Sequence, residues 1–328
     1  MTAPQDVPAE RSDGGVVVRN VTRSFGEVHA VRDANLDARP GTVTALIGPN
    51  GSGKTTLLLM LASLLRPDAG SIHVCGVDPS VDPLAVRASL GWMPDILGSW
   101  SVLTVRSALE TTGRLYRMDR RTAAARASEL LALVGLSALA EQRTGVLSRG
   151  QKQKLSLARA LVHDPSVLLL DEPASGLDPV ARLDLQRLVR QLASDGKTIL
   201  VSSHVLAELD EMADDAVYLE AGVTASADRI AKSKLSSRQW RIRSRDLDGL
   251  RGSLATLGID PAYIVEDRGE LLVRLDGEGA AEDLLRSLVT SGSPISAFSP
   301  AVGELEHTFL DLNRGEEATA PNADGARS

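Results

Sequence analysis

The sequence predicts an α/β fold: a core of parallel strands and helices built on a glycine-rich phosphate loop, interrupted by a helical subdomain and followed by a small α+β domain, of a ferredoxin-like kind. Three observations predict it. Gly48-Pro49-Asn50-Gly51-Ser52-Gly53-Lys54-Thr55-Thr56 fits the pattern G-x-x-x-x-G-K-[ST] without a mismatch. These residues lie between Val43–Ile47, an apolar run that reads as a buried strand, and Leu57–Leu65, which reads as the start of a buried helix. After Gly222 the text turns into a polar linker and then a second, separate alternation of strands and helices.

At 328 residues the chain exceeds one typical core and fits two domains. The expected division is a disordered leader over 1–15, a nucleotide-binding domain over 16–222 with its helical subdomain at about 96–165, an accessory domain over 223–314 and a disordered tail over 315–328. A net charge of -7 argues against general nucleic-acid binding, which asks for a basic stripe, although a local basic patch stays open. The longest apolar stretches fall short of the roughly twenty residues needed to cross a bilayer. Met1–Gly15 lacks the apolar core of a secretory signal. A single cysteine, Cys75, rules out an internal disulfide framework, fits a reducing compartment, and reads as a small strand hydrophobe.

In chain order, Gly15–Asn20 carries the β-branched run of a first strand, with Phe25-Gly26 after it in a polar turn. An isolated Phe is more often core than a ligand contact, but its place ahead of the phosphate loop favours stacking on a base. Ala69–Pro94 is rich in Gly, Pro and Asp and reads as strands and turns. From Val102 to Leu139 Leu and Ala recur at helical spacing, which predicts the inserted helical subdomain. Leu147–Gln153 opens a helix with Leu155, Ala158 and Val162 on its apolar face. Val167–Leu170 then reads as a fully buried parallel strand ending in the carboxylates Asp171 and Glu172. Asp178-Pro179 is an N-cap followed by Pro at the first helical position, and Asp195-Gly196 stops that helix. Thr198–Val201 is the next strand, with His204 just beyond it. Glu208, Asp210, Glu211, Asp214 and Asp215 read as the solvated face of the following helix, and Ala216–Leu219 closes the core. Thr224–Arg238 is a linker with helical potential. Strands at Gln239–Ser244, Ala262–Glu266, Leu271–Leu275 and Pro294–Phe298, with helices at Asp246–Leu257 and Ala280–Val289, give a β-α-β-β-α-β order before a final helix at Glu304–Leu312.

The chemistry follows from position. Glycines on a strand-to-helix turn let backbone N–H groups approach phosphate oxygens, and the helix N-terminus adds its orphan donors and positive dipole end. Lys54 is placed to reach the β- and γ-phosphates and the Thr55 hydroxyl to ligate Mg²⁺. Asp171 at a buried strand end suits Mg²⁺ held through water, and Glu172 suits a general base. A phosphate loop alone leaves GTPases, kinases and many ATPases open.

The further residues decide between them. The sequence resembles the ATP-binding subunit of an ABC transporter over roughly Val16 to Gly222. Phe25 falls where that family places its adenine-stacking aromatic, Leu147–Gln151 where it places its LSGGQ signature, Ser175–Asp178 where it places its D-loop, and His204 at its switch histidine. The resemblance implies catalytic roles for Glu172, His204 and Lys54, with ATP and Mg²⁺ as ligands, and Thr55, Asp171 and Asp95 toward the metal. It also implies that two chains, identical or paralogous, sandwich two ATP head to tail, with Ser148, Arg149, Gly150 and Gln151 completing the γ-phosphate site of the opposite subunit. A separately encoded membrane permease would be the partner, the site of action the cytoplasmic face of a bacterial cell membrane, and nucleic acid no partner.

Two positions depart from the family pattern. Arg149 replaces the first glycine of the signature pair, adding a cation near the γ-phosphate in trans or facing solvent beside it. Asp95 stands where the family has its Q-loop glutamine; a carboxylate there either ligates Mg²⁺ or adds repulsion near the phosphates. The C-terminal unit, with Leu305–Leu310 near its end, is similar to the extension of drug, antibiotic and polysaccharide exporter ATPases, and is either a packing or dimerisation module or a sensor. The expected function is therefore the ATPase subunit of an exporter. The alternative is a soluble ABC ATPase acting on ribosomes or DNA.

Overall fold

The computed structural model describes residues 15–95, 98, 100–203, 205–226, 230 and 237–317. The chain divides into two units, Met1–Thr224 and Ala225–Ser328. Val223 and Thr224, expected at the start of the accessory domain, form a short strand within the first unit. Residues 1–14 of the expected leader, 318–328 of the expected tail, His204 and most of the linker lie outside the described residues, while Gly315–Glu317, expected in the disordered tail, end the last helix.

In the first unit, strands β1 (Val16–Phe25) and β2 (Val28–Ala38) form an antiparallel hairpin in which Phe25 pairs with Val28. Phe25, expected in a turn, therefore ends a strand. Strand β2 has no counterpart among the sequence expectations. Its buried residues, Val31, Ala34, Leu36 and Ala38, lose strict alternation at an irregularity between Val31 and Ala34, which breaks the period-2 pattern that reveals a half-buried strand.

The remaining strands are β3 (Val43–Ile47), β4 (Ala69–Val74), β5 (Leu90–Met93), β6 (Val167–Asp171), β7 (Thr198–Ser202), β8 (Asp215–Glu220) and β9 (Val223–Thr224). They complete one sheet in the order β4-β1-β2-β9-β8-β3-β7-β6-β5. Strands β8, β3, β7, β6 and β5 run parallel to their neighbours in that half. Every residue of β3, β6 and β7 is buried, as an internal parallel strand covered on both faces requires.

Helix α1 (Lys54–Leu61) follows β3 directly. The segment Ala69–Pro94, read as strands and turns, also contains helix α2 (Pro83–Ser89), which corrects that reading. Asp82 caps α2 by accepting from the Ala85 N–H at 3.0 Å, and Pro83 opens it, the same Asp-Pro start that predicted the later helix at Pro179. Between β5 and β6 lie α3 (Val105–Leu115), α4 (Arg120–Leu133) and α5 (Arg149–Ala160), the inserted helical subdomain. Helix α6 (Pro179–Ser194) is capped by Asp178, and α7 (Leu206–Asp210) is one short turn.

The acidic cluster around α7 is not a solvated face throughout. Glu208 is 5 % exposed and meets Arg182 of α6 at 2.8 Å, while Asp214 accepts from the Val43 N–H at 2.8 Å. A buried carboxylate survives only when paired, so tertiary contacts override the pattern of the local text here.

The second unit is built from β10 (Ser237–Ser244), α8 (Leu247–Thr256), β11 (Ile264–Asp267), β12 (Glu270–Asp276), α9 (Gly277–Thr290), β13 (Ile295–Pro300) and α10 (Glu304–Glu317). Its sheet is antiparallel in the order β11-β12-β10-β13, and the β-α-β-β-α-β chain order is as expected. Trp240, Ile242, Leu250, Leu254, Val273 and Leu288 belong to a core of its own.

Candidate active site

The site is assembled at the C-terminal ends of parallel strands, where helix N-termini and carboxylates converge in α/β sheets. Gly53 caps α1 with φ +104, and a Cβ there would lie 2.3 Å from the Ala30 carbonyl, so only glycine lets β2 approach the loop this closely. Lys54 is nearly buried. Its Nζ donates to the carbonyls of Gly48 and Pro49 at 2.8 and 3.0 Å. Burial lowers the pKa of its ammonium, and the negative charges of Glu172 and Asp171 oppose that shift.

Asp171 ends β6 with 5 % exposure. Burial raises its pKa and the neighbouring Asp95 adds to the shift, while hydrogen bonds from Ser202 and Thr55 and the charge of Lys54 work against it. The Ser202 hydroxyl, at the matching end of β7, donates to Asp171 Oδ1 at 2.5 Å. Glu172 follows in a left-handed conformation with φ 51, its N–H shared between the Ser202 carbonyl at 3.1 Å and hydroxyl at 3.2 Å.

A pocket of about 520 Å³ gathers Asn50, Gly51, Gly53, Lys54, Thr55 and Thr56 with Asp95, Arg149, Asp171 and Glu172. Ser52 is buried within the loop, and Gly48 and Pro49 serve through the carbonyls that receive Lys54. On the hairpin side the wall is Val28, His29 and Ala30. Phe25 is 47 % exposed at the end of β1, with the Arg23 guanidinium 4.8 Å from its ring centroid and Arg23 itself held by Asp68 at 2.7 Å. Ser148, Gly150 and Gln151 sit at the start of α5, where Ser148 and Gln151 form a reciprocal capping box.

Two polar contributors near the pocket have no place in the sequence reading, His29 and Ser202, whereas Ser175, also on the pocket wall, opens the D-loop segment named there. Ser202 had a usable signal, since it ends an apolar strand two residues before His204. His29 had none, because β2 itself was not anticipated.

Among the described residues no group of three or more His, Cys, Asp or Glu forms a metal cage. Mg²⁺ does not need one: it binds through one or two carboxylates, a hydroxyl, water and substrate phosphates. Thr55 bonded to Asp171, with Asp95 on the same pocket wall, is a hard-oxygen set that fits this ion.

A second groove, of about 350 Å³, lies between the end of β5 and helices α3 and α5. Tyr116 and His163 stack there with centroids 3.8 Å apart, and the Arg159 guanidinium lies 5.0 Å from the Trp100 ring centroid. The indole N–H of Trp92 and Nε of Arg159 have no hydrogen-bond partner among the described residues.

Residues 31–175 match the family model described as ABC transporter. The chain is 32 % identical to the daunorubicin resistance ATP-binding protein DrrA3 of Streptomyces coeruleorubidus, over 92 % of this chain and 96 % of that one. It is 40 % identical to the Nod factor export ATP-binding protein I of Burkholderia lata, over 62 % of this chain and 67 % of the relative. Among solved structures, the ATP-binding subunit of an ABC transporter aligns at TM-score 0.61 and 26 % identity, covering 66 % of this chain and 92 % of that one. A cassette solved as a dimer in a post-hydrolysis state bound to ADP and Pi aligns at TM-score 0.59 and 28 % identity, covering 64 % and 97 %.

Proposed function

The chain belongs to the ABC transporter family as an ATP-binding, ATP-hydrolysing subunit, and from that premise we propose that it drives export through a separately encoded membrane permease. The observation that carries the proposal is the meeting of Lys54, Thr55, Asp171 and Glu172 in one pocket at the end of a parallel sheet. Export is favoured over action on ribosomes or DNA because the relatives' names speak of drug resistance and Nod factor export.

ATP is the substrate. The loop from Gly48 to Thr56 supplies backbone N–H groups and the Lys54 charge to its phosphates. Burial makes the Lys54 ammonium costly without a counter-anion, so phosphate binding gains from a charge the fold has already desolvated. Mg²⁺ held by Thr55 and Asp171, with Asp95 beside them, would offset phosphate charge. Glu172 stands next to that set as the general base that takes a proton from the attacking water, and His204 is assigned to the γ-phosphate side. Phe25 is assigned to the adenine, its other face already occupied by Arg23.

Ser148, Gly150 and Gln151 open α5 outside their own chain's pocket, which supports a role at the site of a second copy or of a paralogous ATPase. No helix among the described residues is long and apolar enough to cross a membrane, and the permease is the proposed partner for transport. The aromatic groove on the helical subdomain, where two N–H donors have no partner among the described residues, supports docking of that partner at the cytoplasmic face of a bacterial membrane.

The test is to purify the tagged chain from detergent-solubilised membranes of its host and to assay it for ATP turnover. A stoichiometric polytopic membrane protein should co-elute, and Glu172→Gln should cut turnover by about a hundredfold or more while ATP binding persists. Ribosomal proteins or nucleic acid in place of the membrane protein would sink the export reading.

A further inference from the structure

Arg149 is exposed, yet its guanidinium is bonded rather than free. Its Nη2 donates to the Ser175 hydroxyl at 2.9 Å, and its Nε to the Ser175 carbonyl at 3.3 Å, both within its own chain. A Cβ on Gly176 would lie 2.6 Å from both Cδ and Nε of Arg149, and Gly176 has φ +75, so glycine at 176 provides the seat on which the arginine lies. One turn along α5, the buried Gln153 sends its Nε2 to the same Ser175 carbonyl at 3.1 Å and to the Glu172 carbonyl at 3.3 Å. Positions i and i+4 share one helix face, so α5 holds the loop from Glu172 to Gly176 with two side chains.

That loop needs holding. Glu172 is a non-glycine residue at φ 51, a conformation that persists only where the surroundings over-determine it. Ser202 fixes its N–H, Gln153 its carbonyl, and Arg149 the far end of the loop. Arg149 also borders the pocket that holds Asp95, Asp171 and Glu172, so its cation stands on the rim of its own chain's site.

We propose that Arg149 is a positioning residue for the ATP site of its own chain: with Gln153 it clamps the Glu172–Gly176 loop and thereby aims the Glu172 carboxylate. This rests on the ATPase reading above. It differs from the role that the position's place in the signature implies, which would serve the opposite subunit.

Mixed dimers of full-length chains, differently tagged and purified in tandem, separate the two roles. Lys54→Ala silences one site, leaving a single live phosphate loop. In the first pair, an Arg149→Ala chain meets a Lys54→Ala chain, and the live site lacks only the arginine of its own chain. In the second, a wild-type chain meets a Lys54→Ala/Arg149→Ala chain, and the live site lacks only the arginine from across the interface. The first pair should turn over ATP about tenfold more slowly than the second, in kcat with KM within about twofold, and Arg149→Lys should recover part of the loss because a lysine keeps the charge but not the fork. Slowing confined to the second pair, equal in both, or absent from both would overturn the proposal.

If the control pair of wild-type and Lys54→Ala chains is itself inactive, amide hydrogen exchange in the unmixed, nucleotide-free chain decides. Arg149→Ala should speed exchange several-fold at Ala174–Leu177, and unchanged exchange there would overturn the clamp. Absence of ATP turnover by the wild-type homodimer would instead be a failure of the ATPase reading, which the exchange measurement does not depend on.

Discussion

Asp171 and Glu172 are adjacent carboxylates under different constraints. Asp171 is buried at the strand end and satisfied by Ser202, while Glu172 is half-buried, turned by a left-handed backbone toward the pocket. Burial separates the pair chemically, which suits the roles proposed for them, a fixed ligand and a reachable base. His163 shows the same physics in the second groove. Burial holds its pKa below 6.5, more strongly than its Leu90 carbonyl contact and Asp164 raise it, with Lys197 and Arg126 also lowering it. The unfolded chain therefore binds a proton that the folded chain refuses. This stability is fully present above about pH 6.5 and is lost as pH falls through the folded value. Melting temperature should drop between pH 7 and pH 5.5 more steeply in the wild type than in His163→Gln. Parallel pH profiles would show that His163 contributes nothing to the slope.

At the scale of elements, caps decide where helices start, and two of them separate stability from activity. Asp82 caps α2, which supplies no residue to the pocket, whereas Ser148 caps α5, which carries Arg149 and the signature. Removing either cap should cost about 1 kcal/mol. Urea titrations should therefore give similar losses for Asp82→Ala and Ser148→Ala, while steady-state ATP turnover falls only in Ser148→Ala. Equal slowing by both would mean that lost stability, not the α5 terminus, controls the rate. Helix α2 also shows why an element goes unread. It spans seven residues with only Val86 buried, too short for a periodic apolar face, so its Asp-Pro start is its one local signal.

For the whole molecule, the two units each bury a core of their own. A compact unit with its own core unfolds as a unit. Leu254 is fully buried in the second unit, and truncating such a leucine costs about 2–5 kcal/mol. Calorimetry of Leu254→Ala should show one transition moved to lower temperature, while the transition that Mg-ATP stabilises stays in place. A shift of the ATP-responsive transition would show that the cores unfold together.

The sequence by itself determined the phosphate loop, the carboxylates at the end of β6 and the alternation of buried strands and helices. Each is written in contiguous residues: a strand, a glycine turn and a helix start leave a local pattern that no distant contact needs to complete. The β-α-β-β-α-β order of the second unit was legible for the same reason. Only the tertiary structure decided that Ser202 serves Asp171 across a 31-residue separation, that Glu208 is a buried partner of Arg182, and that β2 forms a wall of the pocket. It also decided that Arg149 turns to Ser175 of its own chain, 26 residues away. In each case the outcome depends on which strands and helices come to lie side by side, and chain topology sets that where local propensity does not.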